Sequence, residues 1–116
     1  MLLFVYNADS GKLNALLDTA HKIVSPSTYS CRLCELTYGL MNEKQAWREF
    51  HQSLGERVVF LHRDEFEAQY QQRPGYPFLA DVGETHFEVL LDSVAFAKLN
   101  DTTSLIAKVQ QVIAER

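Results

Sequence analysis

The chain has 116 residues, of which 47% are hydrophobic and 22% are charged, and its formal net charge is −4. These values are typical of one globular domain with a hydrophobic core, so we expect a single domain over residues 1–116 and exclude a disordered or fibrous chain. A basic stripe and a membrane-length apolar run are both absent, so we expect neither nucleic-acid binding nor membrane insertion. The apolar opening residues lack the length and basic flank of a signal peptide, and we therefore expect a cytoplasmic protein.

The first part of the chain predicts a strand followed by a helix. Residues 2–6 form an unbroken apolar run of the kind found in buried strands. Apolar residues then recur at helical spacing from Leu13 to Val24, and this helix is expected to end before Pro26, because the residue that precedes a proline disfavours helix. Residues 25–39 are expected to form a loop or a broken helix.

A second helix and a second buried strand are predicted next. Asn42 and Gln45 have the spacing of a capping box, and Gly55 is well placed to end the helix. The apolar stripe of this helix consists of Trp47, Phe50, His51 and Leu54. Residues 58–61 form another unbroken apolar run. Two buried strands joined through helices predict a parallel pair in an α/β layer.

The second half of the chain predicts a short helix, a hairpin and a closing helix. Residues 64–72 carry aromatic side chains on one side, residues 76–81 read as a strand with a proline near its start, and residues 87–91 alternate as its hairpin partner. Asp92 and Asp101 are suited to cap helical segments. The closing helix has apolar residues at helical spacing, namely Leu105, Ile106, Val109, Val112 and Ile113.

The chain from Arg57 onward resembles the C-terminal part of a thioredoxin-like domain, most closely that of small glutaredoxin-like proteins. The resemblance lies in the strand Val58-Val59-Phe60-Leu61-His62, the acidic segment from Asp64 to Tyr70, and the strand start Tyr76-Pro77-Phe78-Leu79. It implies an α/β fold with a mixed sheet of about four strands flanked by helices. In that family this proline is cis and lies beside the active cysteines, so the resemblance implies that Pro77 is a cis-proline; it does not fix whether Cys31 and Cys34 lie near Pro77.

The only two cysteines, Cys31 and Cys34, form a C-x-x-C motif. This spacing permits either a small reversible disulfide or the binding of one soft metal ion by two thiolates. In thioredoxin-like enzymes the motif follows the first strand directly, but residues 8–12 contain no cysteine here. The motif instead lies in what looks like a helical insertion over residues 25–55, between the first two strands.

In a redox role, analogy with the usual order in C-x-x-C makes Cys31 the accessible nucleophile and Cys34 the resolving thiol. Arg32 would favour a thiolate by its positive charge and Glu35 would oppose it, so their effects partly cancel. We therefore expect thiol–disulfide exchange with a protein or small-molecule thiol partner and with no cofactor. The candidate catalytic residues are Cys31, Cys34 and Pro77.

Two functions of other classes remain open. In the first, Cys31, Cys34, His21 and His51 form a tetrahedral site for zinc, or for iron, in a module without turnover. A hydrogen-bonded histidine is the more frequent role at the position of His51. In the second, the chain is an adaptor on a thioredoxin-like scaffold. His62 and His86 belong to no ligand pattern and are interpreted as structural.

Two further patterns have a structural and a functional interpretation. Asp9-Ser10-Gly11-Lys12 follows a strand, but a nucleotide-binding loop would need glycine at Tyr6 and a hydroxyl at Leu13. Only a weak anion site at a helix start is compatible with it, and a plain capped helix is favoured. The aromatic residues near the cysteines either line a pocket or pack in the core, with core packing favoured, and they are Tyr29, Tyr38, Trp47 and Phe50.

Overall fold

The computed structural model describes residues 1–9, 32–38 and 43–116. It is an α/β structure in which helices flank a four-stranded mixed sheet, and the fold class expected from the sequence is thus confirmed. The described elements in chain order are β1 (Leu2–Val5), α1 (Arg32–Thr37), α2 (Gln45–Ser53), β2 (Val58–Leu61), α3 (Arg63–Gln69), β3 (Phe78–Val82), β4 (Phe87–Leu91), α4 (Ser93–Ala97) and α5 (Thr102–Glu115).

The strands lie in the order β2-β1-β3-β4. β1 runs parallel to β2, in a register that places Leu2 opposite Val58, and antiparallel to β3. β3 and β4 form an antiparallel pair with an irregularity between Leu79 and Ala80. The parallel pair and the hairpin predicted from the apolar runs are therefore both confirmed.

Alternation along β1 divides the core into two clusters, one on each face of the sheet. Leu2 and Phe4 belong to the first cluster, and Leu3 and Val5 belong to the second. The first cluster takes its other buried side chains from α1, α2, α4 and α5 as well as from the strands, whereas the helical contribution to the second comes from Phe66 of α3. Because both faces are covered, all four residues of β1 have 0% exposure.

The start of α2 differs from the prediction. The N-cap residue is Lys44, in extended conformation, and it makes no side-chain capping bond. The capping box with Asn42 is therefore wrong as a description of this helix start, and Asn42 itself lies outside the described residues. The side chain of Gln45 instead donates to Glu49 Oε1 at 2.9 Å, one turn further along the helix. At the other end, Leu54 is an extended C-cap residue, and Gly55 follows it without a positive φ.

The later elements agree with the prediction in kind and differ at their ends. α3 covers Arg63–Gln69, and β3 begins only at Phe78 because Pro77 lacks the N–H that a sheet needs. The predicted caps are both confirmed: Asp92 accepts a bond from the backbone N–H of Ala95 at 2.8 Å, and Asp101 accepts one from Ser104 at 2.7 Å.

The helix predicted over residues 13–24 lies outside the described residues. Between residues 25 and 39, the broken helix expected from the sequence corresponds in its described part to α1, with six residues. Within the described ranges, no helix combines the length and the apolar character that crossing a membrane requires.

We predict that Phe4→Ala lowers the free energy of unfolding by about 3–5 kcal/mol, as expected for loss of a large buried aromatic side chain. Phe4 has 0% exposure, stacks on Phe60 and contacts the edge of Trp47 at 5.3 Å between ring centroids. Urea unfolding measures the change. Val94→Ala is the control, because Val94 is 60% exposed and its truncation should change stability by less than about 0.5 kcal/mol. Equal effects of the two substitutions would contradict the assignment of Phe4 to the core.

Candidate functional site

Cys34 is the third residue of α1 and lies in the first core cluster with 1% exposure. It is disulfide-bonded, so the described part of the chain contains no free cysteine. Cys31, the other cysteine of the chain, lies outside the described residues. The second sulfur of the C-x-x-C motif thus lies on a helix and in the protein interior.

The C-terminal end of α1 is tied to elements far away in the sequence. The hydroxyl of Thr102, the first residue of α5, donates to the carbonyl oxygen of Leu36 at 2.7 Å, and Lys44 Nζ donates to that hydroxyl at 3.3 Å. The backbone N–H of Lys44 donates to Thr37 O at 2.7 Å. Because the last carbonyls of a helix have no partner within it, these donors stabilise the end of α1.

Thr37 is a buried polar residue of α1 with 0% exposure. Its hydroxyl donates to Leu33 O at 2.7 Å, within the same helix. It therefore has the hydrogen-bond partner that burial of a hydroxyl requires.

The charged neighbours of Cys34 pair with each other. Arg32 Nη1 lies 3.1 Å from Glu35 Oε2 in a half-exposed ion pair. The sequence predicts that Arg32 and Glu35 have opposite effects on a thiolate. Because the two charges form one ion pair, their net field is smaller than that of either charge alone.

Tyr6 connects the carboxyl end of β1 to the helix that carries Cys34. It is 3% exposed, and its side chain forms hydrogen bonds with those of Tyr38 and Thr37. Burial, reinforced by Tyr38, raises the pKa of Tyr6 far above its ordinary value, so its hydroxyl stays protonated and able to donate. Tyr38 in turn donates its backbone N–H to Cys34 O at 3.0 Å.

Pro77 lies at the same end of the sheet as Tyr6. The peptide bond between Tyr76 and Pro77 is cis, as the resemblance implied. Pro77 directly precedes Phe78, and Phe78 is paired with Val5, the residue before Tyr6. The register thus brings Pro77 to the carboxyl end of β1, where Tyr6 contacts the last turn of α1.

His51, the described histidine of the proposed metal set, has a protein partner. Its Nε2 lies 3.0 Å from Glu43 Oε2, and its ring packs against Phe60 at 4.9 Å between centroids. Metal binding by His51 would therefore use Nδ1. Cys31 and His21 lie outside the described residues, and within the described ranges no group of three or more His, Cys, Asp or Glu is placed to hold a metal ion.

His62 has a specific structural role that the sequence interpretation did not identify. It is the N-cap residue of α3, where its backbone N–H and its Nδ1 both lie 2.7 Å from Glu65 Oε1. The backbone hydrogen bond, followed by the side-chain one, lowers the pKa of Glu65. The sequence pattern that indicates this role is a polar residue three positions before a glutamate, at the end of an apolar strand. His86, also interpreted as structural, lies 3.9 Å from Asp81.

The proposed weak anion site falls mostly outside the described residues, because Ser10 and Lys12 are not among them. Its described member, Asp9, accepts a bond from Arg63 Nε at 3.1 Å, and Arg63 Nη1 donates to Asn7 Oδ1 at 3.2 Å. This cluster joins the segment after β1 to the start of α3.

Core packing, the favoured interpretation of the aromatic residues, is correct for Trp47. It has 0% exposure and meets Phe4 edge to face. Phe50 is partly buried against Trp47, and Tyr38 against Tyr6. Tyr29 lies outside the described residues.

A surface groove of about 560 Å³ lies along β4 and α5. Its lining residues include Pro74, Val89, Leu90, Lys108 and Val112. Its described lining residues include none of the candidate catalytic or metal-binding residues.

Comparison of the chain with protein-family models, curated proteins and solved structures gives no match. The function must therefore be inferred from the positions and contacts of the residues themselves. Among the described candidates, Pro77 precedes the strand partner of Val5 at the carboxyl end of β1, and Tyr6 links that end to the last turn of the helix that carries Cys34.

We predict that Glu65→Gln lowers the free energy of unfolding at neutral pH, by less than about 1 kcal/mol because the Glu65 side chain is 43% exposed. A carboxylate with a lowered pKa stabilises the folded state above its ordinary pKa, which is 4.5 for Glu65, and this stabilisation is lost as the pH falls through the lowered value. The difference between wild type and variant should therefore disappear in acid.

Urea unfolding at a series of pH values measures this difference. Glu88→Gln, at an exposed position of β4, is the matched control and should show no such pH-dependent change. A Glu65→Gln effect that persists unchanged below the lowered pKa would contradict the role of the carboxylate charge.

Proposed function

We propose that the chain is a thioredoxin-like protein that performs thiol–disulfide exchange through Cys31 and Cys34. The observation that carries the proposal is the state of Cys34, which is buried and disulfide-bonded within a C-x-x-C motif. Static disulfides are rare in the cytoplasm, the compartment we propose for this chain, so a close cysteine pair there favours a redox role.

The fold supports the same proposal. A parallel strand pair joined through helices is followed by an antiparallel hairpin and a closing helix, the order that the resemblance to thioredoxin-like domains implies. The start of β3, which bears Pro77, reaches the carboxyl end of β1, and Tyr6 joins that end to the helix of Cys34. Fold similarity alone does not establish a function, so the cysteine pair remains the decisive feature.

In the proposed reaction, the Cys31 thiolate attacks one sulfur of a partner disulfide. A mixed disulfide forms, and the other partner sulfur leaves as a thiolate. The Cys34 thiolate then attacks Cys31 Sγ, which releases the second partner thiolate and leaves the protein pair oxidised. The partner gains the two electrons that the protein pair loses. Burial of Cys34 suits the resolving step, because a buried sulfur is reached by its neighbour more readily than by an external disulfide.

The proposed partner is a protein or small-molecule thiol, which enters the reaction in its disulfide form and leaves it as the thiol, and the reaction needs no metal or organic cofactor. The ion pair of Arg32 and Glu35 lies on the same short helix as Cys34 and adds little net charge for partner recognition. The proposal therefore assigns no strongly charged partner.

We predict that Cys34→Ser accumulates a mixed disulfide at Cys31 when the protein is treated with glutathione disulfide, because the resolving thiol is absent. Cys31→Ser should form little mixed disulfide, because Cys34 is 1% exposed. Alkylation followed by mass spectrometry measures both products. The wild type should instead form an internal disulfide that dithiothreitol reverses.

The same measurement tests the opposite outcome. If the wild-type pair stays reduced under glutathione disulfide, or if Cys31→Ser and Cys34→Ser behave alike, the redox proposal is wrong. In that case, retention of fold without thiol reactivity or metal would favour the adaptor function.

The metal site remains the alternative, with Cys31, Cys34, His21 and His51 as its ligands. It predicts stoichiometric zinc or iron in the purified protein, and loss of that metal in Cys31→Ser and His51→Ala. Metal analysis by mass spectrometry measures this. His86→Ala is the matched control, because His86 is 52% exposed and lies outside the proposed set. Metal that survives both ligand substitutions would contradict this ligand set.

A further inference from the structure

The described part of the helix that carries Cys34 is too short to be stable by itself. α1 has six residues, and isolated helices of this length are marginal in water because nucleation is costly. Its position therefore depends on contacts with the rest of the fold. Its buried side chains pack in the first core cluster, and its C-terminal carbonyls accept hydrogen bonds from outside the helix.

Thr102 makes the longest-range of these hydrogen bonds. Its hydroxyl donates to Leu36 O at 2.7 Å, between residues 66 positions apart in the sequence. The same hydroxyl accepts a bond from Lys44 Nζ at 3.3 Å. One partly buried hydroxyl thus connects α5, the residue before α2, and the end of the Cys34 helix.

We propose that Thr102 is a positioning residue for disulfide formation between Cys31 and Cys34, an inference that rests on the proposed function. Thr102 contacts α1 at Leu36, two residues beyond Cys34, and takes no part in the chemistry. Its bond to Leu36 limits fraying of α1 and so restricts the positions that Cys34 Sγ samples. When Cys34 Sγ samples fewer positions, its effective concentration at Cys31 Sγ is higher, and this favours the internal disulfide.

The effect must be reciprocal. If the Thr102 bond favours the oxidised pair, the oxidised pair favours the Thr102 bond by the same free energy. A purely structural threonine would behave differently. Its removal would destabilise the oxidised and reduced proteins equally and leave the exchange equilibrium unchanged.

The test is the equilibrium of the intact chain with glutathione, in which the reduced protein and one glutathione disulfide give the oxidised protein and two glutathione thiols. Thr102→Val removes the hydroxyl and keeps the branched shape. It should shift the equilibrium toward the reduced protein by about two- to tenfold, as expected for one net hydrogen bond. Alkylation and mass spectrometry measure the oxidised fraction.

Three variants serve as controls. Thr103→Val makes the same chemical change at the next residue, which is exposed, and should leave the equilibrium unchanged. Thr102→Ser retains the hydroxyl and should stay near the wild-type value. Lys44→Met removes the donor to the hydroxyl and should produce a smaller shift in the same direction as Thr102→Val.

The outcomes separate the two proposals. A wild-type chain that does not exchange with glutathione overturns the proposed function, and this inference with it. Exchange in the wild type with equal equilibrium constants for Thr102→Val and Thr103→Val overturns the inference alone. If Thr102→Val does not fold, Lys44→Met decides: a shift toward the reduced form supports the role of Thr102, and an unchanged equilibrium overturns it.

Discussion

The structure depends on the burial of β1 on both faces. Leu2, Leu3, Phe4 and Val5 carry no polar side chain and have 0% exposure. Such a strand is stable only if its backbone groups are paired on both sides, and β2 and β3 provide that pairing. The remaining elements are arranged around this requirement, because helices must cover each face of the sheet that β1 helps to form.

The two faces of the sheet are covered by different helices, and Cys34 lies on the face that more helices cover. The first core cluster receives side chains from α1, α2, α4 and α5, whereas the helical part of the second comes from α3. Cys34 belongs to the first cluster. At the carboxyl end of β1, the buried side chain of Tyr6 reaches the last turn of α1, while the backbone partner of Val5 leads directly to Pro77.

The sequence predicted those elements of the fold that depend on the pattern of neighbouring residues. The apolar runs of β1 and β2 and the alternation of β4 were sufficient to predict strands, a parallel pair and a hairpin. The burial predicted for both runs is correct for β1, whereas β2 is only partly buried. The start of α2 was not predictable in this way. Asn42 and Gln45 have cap spacing, but the N-cap is Lys44, whose backbone N–H is bonded to Thr37 of another helix. The N-cap of α2 therefore lies two residues beyond the one predicted from local spacing, at a residue that makes a tertiary contact.

In the candidate site, too, local patterns were predictable and long-range contacts were not. The sequence identified Cys34 by its motif and Pro77 by its resemblance, and it missed Thr102, because a contact across 66 residues leaves no local pattern. His62 was interpreted as structural because it belongs to no ligand pattern. Its capping role was missed because histidine is not among the usual N-cap residues, although its spacing to Glu65 is that of a capping box.

The end of α1 is therefore attached from two directions, by Tyr6 from the sheet and by Thr102 from α5. Phenylalanine at position 6 would bury equally well but would not bond to Thr37 and Tyr38. A hydroxyl at such a position needs a partner, and this requirement restricts how α1 can lie on the sheet more narrowly than apolar packing does. Since α1, β1 and α5 share one core cluster, the position of Cys34 is determined by the packing of the whole first face rather than by its own short helix.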